Sequence, residues 1–269
     1  MSKSFLLRYG PVALVAGASE GLGAAFAEAL AARGLDLLLV ARRAGPLEGF
    51  AARLRAAHGV GVRTLSLDLG READLQRLQV AARGLEVGLL VYNAAASPIG
   101  RFLDVSAADH RQVVAVNCRA PALLAHGVGR DMARRGRGGI VFMSSMSGLQ
   151  GTAMVAHYAA TKAYLRVLAE GLGNELRPLG VDVLASLAGP VRTPNYLASE
   201  PAPSVLTPTP CAPAAVVEET IASLGRGATC VPDSRDRVLA FVMERLLPRR
   251  FAVELISAVT RRMYARVGR

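Results

Sequence analysis

A chain of 269 residues and 28.2 kDa, 52% of it hydrophobic, is long enough to bury a sizeable core and too apolar to be disordered. Its three cysteines, Cys118, Cys211 and Cys230, lack the spacing of a zinc site or a disulfide framework, and no metal is expected. The net charge of +11 would suit nucleic acid, anionic lipid or an acidic protein, but the arginines are spread along the whole chain and only 5% of residues are aromatic, which argues against nucleic-acid binding.

The N-terminal stretch MSKSFLLRYGPVALVAG has no basic region followed by an apolar stretch and a small-residue cleavage site. No apolar run reaches the ~18 residues of a membrane span, so a soluble cytoplasmic protein is the expectation, with membrane association disfavoured. Short β-rich runs over 12–16, 37–41, 62–67, 87–92, 140–144 and 181–187 alternate with helical patterns, and a seventh short strand is expected near 228–231. Repeated βαβ units apolar on both strand faces predict an α/β fold: a doubly wound parallel sheet of about seven strands, with helices on both faces, in a single domain over 1–269. Residues 194–213, rich in Pro, Ser and Thr, read as an irregular segment or short helical lid over a site. The last part, 233–269, carries two Arg-rich amphipathic helical patterns broken at Pro248.

Three local patterns point to chemistry. After the first strand comes Gly17-Ala-Ser-Glu-Gly21-Leu-Gly23, then a helical pattern over 24–33. Glycines there permit a tight turn and close backbone approach, and the helix N-terminus offers amides and a positive dipole to a pyrophosphate. The second strand ends in Val40-Ala41-Arg42-Arg43 with no acid at its tip, which favours a 2′-phosphate and hence NADP(H) over NAD(H). Tyr158-Ala-Ala-Thr-Lys162 sets a phenol and an ammonium one helical turn apart on one face. A fixed cation beside a phenol is expected to lower its pKa and make it a proton donor for a carbonyl oxygen. Of the basic residues only Lys3 and Lys162 are lysines against thirty arginines, so the lysine at this position favours a specific role over a solvated helix face.

Taken together, these motifs resemble the short-chain dehydrogenase/reductase family of single-domain Rossmann type, from about Tyr9 to Thr193. The resemblance implies a catalytic tetrad of Asn117, Ser145, Tyr158 and Lys162, with Ser145 thirteen residues before Tyr158. Within it, Tyr158 would exchange the proton with the carbonyl or alcohol oxygen and Ser145 would orient that oxygen. Lys162 would lower the Tyr158 pKa and contact the nicotinamide ribose, while Asn117 would hold a water linking Lys162 to solvent. Cofactor contacts are implied at Gly17, Ser19, Gly21, Leu22, Gly23, Arg42, Arg43, Asp68, Leu69, Asn93, Ala94, Ala95, Tyr158, Lys162, Pro190, Val191 and Thr193. Three positions depart from the family pattern: Ala95 replaces a usual glycine, Ala188 a usual proline, and Glu20 stands where a basic residue is common in NADP(H) enzymes.

The same resemblance places Ser147, Leu149, Met154, Tyr196 and 194–213 at a mainly apolar substrate pocket, with Arg192 as its one candidate cation. An apolar carbonyl or alcohol is the implied small-molecule substrate: a 3-oxoacyl thioester, a steroid-like or polyketide ketone, or an acyl group borne by an acidic carrier. The long helices holding Asn117 and Tyr158 would form a homodimer, extended in some members to a homotetramer. The alternative from another class is a non-catalytic NADP(H)-binding sensor or scaffold, whose sequence sign would be a missing tetrad residue. None is missing. The basic C-terminal helices are expected to pack on their own protein or across a subunit interface, with an anionic membrane surface as the competing reading.

Overall fold

A computed structural model describes residues 2–202 and 209–265. The chain opens with α1 (Ser2–Tyr9) and then runs β1 (Val12–Ala16), α2 (Gly21–Ala31), β2 (Asp36–Ala41), α3 (Ala44–His58), β3 (Val62–Ser66), α4 (Glu72–Arg83) and β4 (Val87–Tyr92). Next come α5 (Ala107–Val114) and α6 (Ala120–Arg135), joined by a π-helical turn at Ala115–Arg119, then β5 (Gly138–Ser145), α7 (Ala156–Leu176) and β6 (Val181–Ala188). The last elements are α8 (Pro194–Ala198), α9 (Pro213–Ser223), β7 (Thr229–Cys230), α10 (Ser234–Phe241) and α11 (Arg249–Met263).

All seven strands lie parallel in one sheet of order β3-β2-β1-β4-β5-β6-β7. Because successive side chains of a strand face opposite ways, each strand feeds two cores. Ala13, Val15, Leu37, Leu39, Leu89 and Val91 meet Phe26, Leu30, Leu47, Phe50 and Val217 on one face. Leu14, Leu38, Val40, Leu90, Ile140 and Phe142 meet Leu75, Leu78, Leu124, Val128 and Leu165 on the other. This double covering is why the central strands β1 and β4 read as apolar runs.

The order reverses between β1 and β4, and there the loops that leave neighbouring strands part to open a crevice at the carboxyl ends of the strands. The glycine turn after β1, Arg42 after β2 and Ser145 at the end of β5 all lie at that same edge. The strand boundaries agree with the sequence reading to within two residues. The structure adds α1, which the sequence reading lacked. It is docked by Asp182 at the start of β6, a buried carboxylate that accepts from Tyr9 Oη at 2.6 Å and from Arg8 Nε at 2.7 Å. Of the expected lid, α8 is a short helix capped by the Thr193 hydroxyl, which accepts from the Tyr196 amide at 3.2 Å. Residues 203–208 of that lid lie outside the described residues.

Candidate active site

The crevice consists of two clefts that meet at Tyr158. The first, about 600 Å³, runs past Gly17, Gly21, Leu22, Arg42, Asp68, Leu69, Asn93, Ala94 and Ala95 to Tyr158, Lys162 and Thr193. Its floor needs glycine. Gly17 has φ +82° and Gly21 φ +58°, and a Cβ on Gly17 would stand 2.7 Å from the Ala94 amide nitrogen. The turn is tied to β2 by Gly17 N and Ala18 N, which donate to Val40 O, and to the end of β4 by Asn93 Nδ2, which donates to Gly17 O at 2.9 Å. No side chain caps the first turn of α2, because Glu20 makes no such bond, so its amides face the cleft without an intramolecular acceptor from that residue.

The far wall distinguishes the two arginines. Arg42 lines the cleft, whereas Arg43 lies outside its lining and is paired with Glu20 at 2.6 Å. Glu20 itself lines the cleft, and pairing with Arg43 offsets the charge it brings there. Asp68 accepts from Gly70 N at 2.9 Å and from Gln112 Nε2 at 3.1 Å, so its carboxylate is held in place at the end of β3. Ser19 and Gly23 are not in the cleft lining. Gly23 acts one layer beneath it, where a Cβ would stand 1.9 Å from Gly17 O.

Where the clefts join, β5 delivers Ser145 and α7 delivers Tyr158 and Lys162. Ser145 Oγ accepts from the Ser147 amide at 3.2 Å and from Ser147 Oγ at 2.9 Å. With both approaches arriving as donors, the Ser145 proton is left to point toward a third partner. Lys162 is buried, 3% exposed, and its Nζ donates to Met143 O at 2.6 Å while standing 5.3 Å from the Tyr158 ring centroid.

Expected to draw the Tyr158 pKa down, Lys162 is not among the groups that shift it. Burial pushes the phenol up to about 12, with the Ser145 hydroxyl pulling the other way and Tyr264 adding to the rise. Burial likewise lowers the ammonium to about 8, against the opposing effect of Cys118. Both shifts have one physical cause: each group is kept toward its neutral form when water is withdrawn from it.

Asn117 sits fully buried in the π-helical turn between α5 and α6, a distortion that often marks functional positions. Its Oδ1 accepts from Ala96 N, and its Nδ2 donates to Ala96 O, each at 2.8 Å, with a further bond to Thr161 Oγ1 at 3.0 Å. The residue thus clamps the loop after β4 to α7, one position from Lys162, and does not line either cleft.

The second cleft, about 460 Å³, holds Ser145, Ser147, Leu149, Tyr158, Pro190, Val191, Thr193 and Tyr196. A further wall comes from α10, α11 and the turns that follow them, with Leu239, Met243, Ile256, Val259, Met263 and Tyr264. The C-terminal helices therefore pack on their own protein. The sequence reading saw their amphipathic pattern but not the cavity it faces. Met154 is not in this lining and takes φ +65°, its carbonyl accepting from Gly100 N at 2.8 Å. Arg192 is exposed and also outside the lining, so the candidate cation is absent from the cavity wall.

A short chain dehydrogenase family model matches residues 11–202, which takes in the glycine turn, the β5 serine and the Tyr158/Lys162 pair. The chain belongs to the short chain dehydrogenase family. This short-chain dehydrogenase is 32% identical over 234 residues to a 7beta-hydroxysteroid dehydrogenase of Clostridium sardiniense, covering 87% of this chain and 90% of the relative. A very-long-chain 3-oxoacyl-CoA reductase of Phaeosphaeria nodorum is 32% identical over 224 residues, which is 81% of this chain but 64% of that relative. Among solved structures, a short-chain dehydrogenase from Sphingobium yanoikuyae in complex with NADPH has a TM-score of 0.78 at 30% identity, covering 90% of this chain and 100% of that one. A structure giving insights into 7beta-hydroxysteroid dehydrogenase stereoselectivity has a TM-score of 0.88 at 25% identity, with 94% and 98% covered. This short-chain dehydrogenase is accordingly an oxidoreductase of the CH–OH/C=O class that uses a nicotinamide cofactor. Among the described residues, no helix is long and apolar enough to cross a membrane.

Proposed function

We propose that this short-chain dehydrogenase interconverts a bulky apolar ketone and its secondary alcohol with NADP(H) as the preferred cofactor. The observation that carries the reading is the meeting of the two clefts at Tyr158, with Ser145 beside it and Lys162 behind. A dinucleotide fits the first cleft: its glycine floor tolerates no Cβ at Gly17, its entrance is the N-terminus of α2, and Arg42 stands in its wall. Gly17, Gly21 and Leu22 would hold the pyrophosphate, Arg42 the 2′-phosphate, Asp68 and Leu69 the adenine end, and Asn93 to Ala95 with Thr193 the nicotinamide end. When bound, the nicotinamide supplies or takes the hydride at the carbonyl carbon.

The chain's own residues handle the oxygen. Ser145, oriented by Ser147, donates a hydrogen bond to it, and Tyr158 gives it a proton in reduction or receives one in oxidation. Lys162 carries the positive charge behind the phenol and favours the phenolate as that proton leaves. Asn117 holds the Ala96 loop and Thr161 in register and so keeps both clefts aligned. The apolar walls of α10 and α11 exclude water and select a bulky substrate. The substrates named for the relatives, hydroxysteroids and long 3-oxoacyl thioesters, are large and apolar in the same sense. A homodimer through α6 and α7 belongs to this reading, supported by exposed Leu123, Tyr164 and Val167 on those helices.

The test is a fluorescence titration with NADPH and NADH, repeated with Arg42→Ala, followed by turnover of steroid, aryl and 3-oxoacyl ketones with Tyr158→Phe as control. Loss of the Arg42 guanidinium is expected to weaken NADPH ~10–100-fold and NADH far less. Equal weakening of both, or turnover that survives in Tyr158→Phe, would overturn the assignment of those residues. Binding without turnover of any ketone would favour the sensor or scaffold alternative.

A further inference from the structure

Resting on that reading, one feature of the second cleft narrows the substrate class. Among the described residues its lining contains no lysine, arginine or histidine, and one charged side chain, Asp236. Asp236 is 6% exposed, sits on the first turn of α10, and presses its carboxylate against Gly189, where a Cβ would stand 2.1 Å from Oδ2. Gly189 directly follows Ala188, which is the register partner of Ser145 across β5 and β6. The carboxylate therefore lies in the wall of the cavity near the reacting end, not at its mouth. Gln150 is another polar side chain of the same wall, 8% exposed, alongside hydroxyls such as those of Ser145, Ser147, Thr193 and Thr260.

A buried carboxylate is costly in a largely apolar cavity unless something completes its hydrogen bonds. Burial and then neighbouring Asp233 raise the Asp236 pKa, with the Gly189 amide, which donates to the carboxylate, pulling the other way. The charged groups near it are Asp233 and Arg235, the latter exposed and outside the cavity lining, while burial keeps the Cys211 thiol neutral, so no positive charge enters the cavity. We infer that Asp236, aided by Gln150, determines specificity: it takes a hydrogen bond from a hydroxyl on the substrate's apolar frame and rejects substrates that would bring an anionic group into the cavity. The substrate class is thus a neutral, hydroxyl-bearing ketone, with any acid function held outside the cleft. Asp236 is assigned no part in the proton or hydride steps.

Matched probes small enough for the cavity separate these effects: benzylacetone, its hydroxy derivatives and its carboxy derivatives, with the substituent para or meta on the ring. Their dissociation constants are measured calorimetrically at about pH 8, where a carboxylate is ionised, with NADP⁺ present. In the wild type, the better hydroxy isomer should bind at least ~5-fold tighter than the parent, and both carboxy isomers at least ~10-fold weaker. Asp236→Asn, with folding checked by its melting curve, should cut the ratio between hydroxy and carboxy probes by at least ~10-fold. A wild type that binds carboxy and parent probes equally would overturn the inference without any variant. So would an Asp236→Asn protein that weakens all the probes in common and leaves their ratio intact. Because binding is read separately from turnover, probes that bind in the expected order but are not reduced would count against the proposed reaction and for the specificity assignment.

Discussion

Replacing Gly23 by alanine and Gly49 by alanine should move stability in opposite directions, although both lie in helices. In Gly23→Ala the new Cβ would stand 1.9 Å from Gly17 O and 2.8 Å from Asn93 Nδ2, inside the turn that joins β1 to α2. An ordinary carbon–oxygen contact is about 3.3 Å, so the turn must yield by more than about 1 Å. It cannot yield freely, because Phe26, Ala27 and Leu30 fix α2 on the sheet at 0% exposure. Overpacking of this kind costs ~1–3 kcal/mol, and weakening the 2.9 Å bond from Asn93 to Gly17 O adds about 1 kcal/mol. Better helix propensity returns ~0.5–1 kcal/mol, leaving a net loss of about 2 kcal/mol. For a chain of this size that lowers Tm by ~4–8 °C. At Gly49, exposed in the middle of α3, nothing lies within 4 Å of a new Cβ, so only the propensity gain remains and Tm should rise by ~1–4 °C. Calorimetric melting of the two variants is the assay, with NADPH titration alongside, since a displaced Gly17 should weaken the cofactor ~10-fold or more while Gly49→Ala leaves it unchanged. If Gly23→Ala melted within about 1 °C of the wild type, the close approach would not be a constraint on the fold, and the layered role given to Gly23 would be wrong.

Ser147→Ala should lower kcat by ~3–10-fold, because it removes the 2.9 Å bond that orients Ser145, with a smaller effect on KM from its place in the cleft lining; a pure KM effect would refute the orienting role. Tyr9→Phe deletes the 2.6 Å donor to buried Asp182 and should cost ~1.5–3 kcal/mol, seen as a melting temperature ~3–10 °C lower with catalysis unaffected per folded molecule. His157 and His110 share an Nδ1–Nδ1 contact of 2.8 Å that needs one lone pair, and burial followed by His110 lowers the His157 pKa. A depressed folded-state pKa means stability that is present in full above ~6.5, the unfolded value, and is lost as pH falls through the folded value. Melting curves taken from neutral to mildly acidic pH should show that loss, and His157→Gln should flatten it; an unchanged slope in the variant would exclude the pair as its source.

The strands were legible in the sequence because a sheet covered on both faces favours apolar residues along its central strands, and 12–16 and 87–92 supply them throughout. β7, with two residues, was legible only as a short apolar run near 228–231. α1 was missed for a physical reason. Ser2–Tyr9 is short and polar-flanked, and it is held to the fold by Arg8 and Tyr9 on Asp182, a pairing 173 or 174 residues apart that no local pattern encodes. The glycine turn and the β5, α7 residues were readable because backbone constraint and helical spacing are local properties. The destination of α10 and α11 was not, since an amphipathic face is equally consistent with a core, a partner or a lipid surface until the cavity it faces is known. Asp236 shows the same limit: as a residue in an Arg-rich stretch it looks like a solvated charge, and only the turn of α10 over Gly189 makes it, among the described residues, the one charged group in the cavity lining.

The Tyr158 and Lys162 pairing was read correctly as a spacing and incompletely as an energy. Four residues in a helix fix the two side chains on one face, and the sequence carries that information in full. Whether the cation outweighs burial depends on how far water is excluded, and that is set by walls arriving from β5, α10 and α11. At 5.3 Å from the ring, with its Nζ committed to Met143 O, Lys162 does not overcome a desolvation that carries the phenol to about 12 and its own ammonium down to about 8. These opposite shifts leave both groups toward their neutral forms, so the pair acts as proton donor and charge reserve only when further charge or hydrogen bonding is brought to the junction of the clefts. A phenol held well above neutral pH is protonated throughout the physiological range but is a weak acid there, so handing its proton to a carbonyl oxygen depends on that added stabilisation of the phenolate; taking a proton from an alcohol, which needs the phenolate itself, should require higher pH.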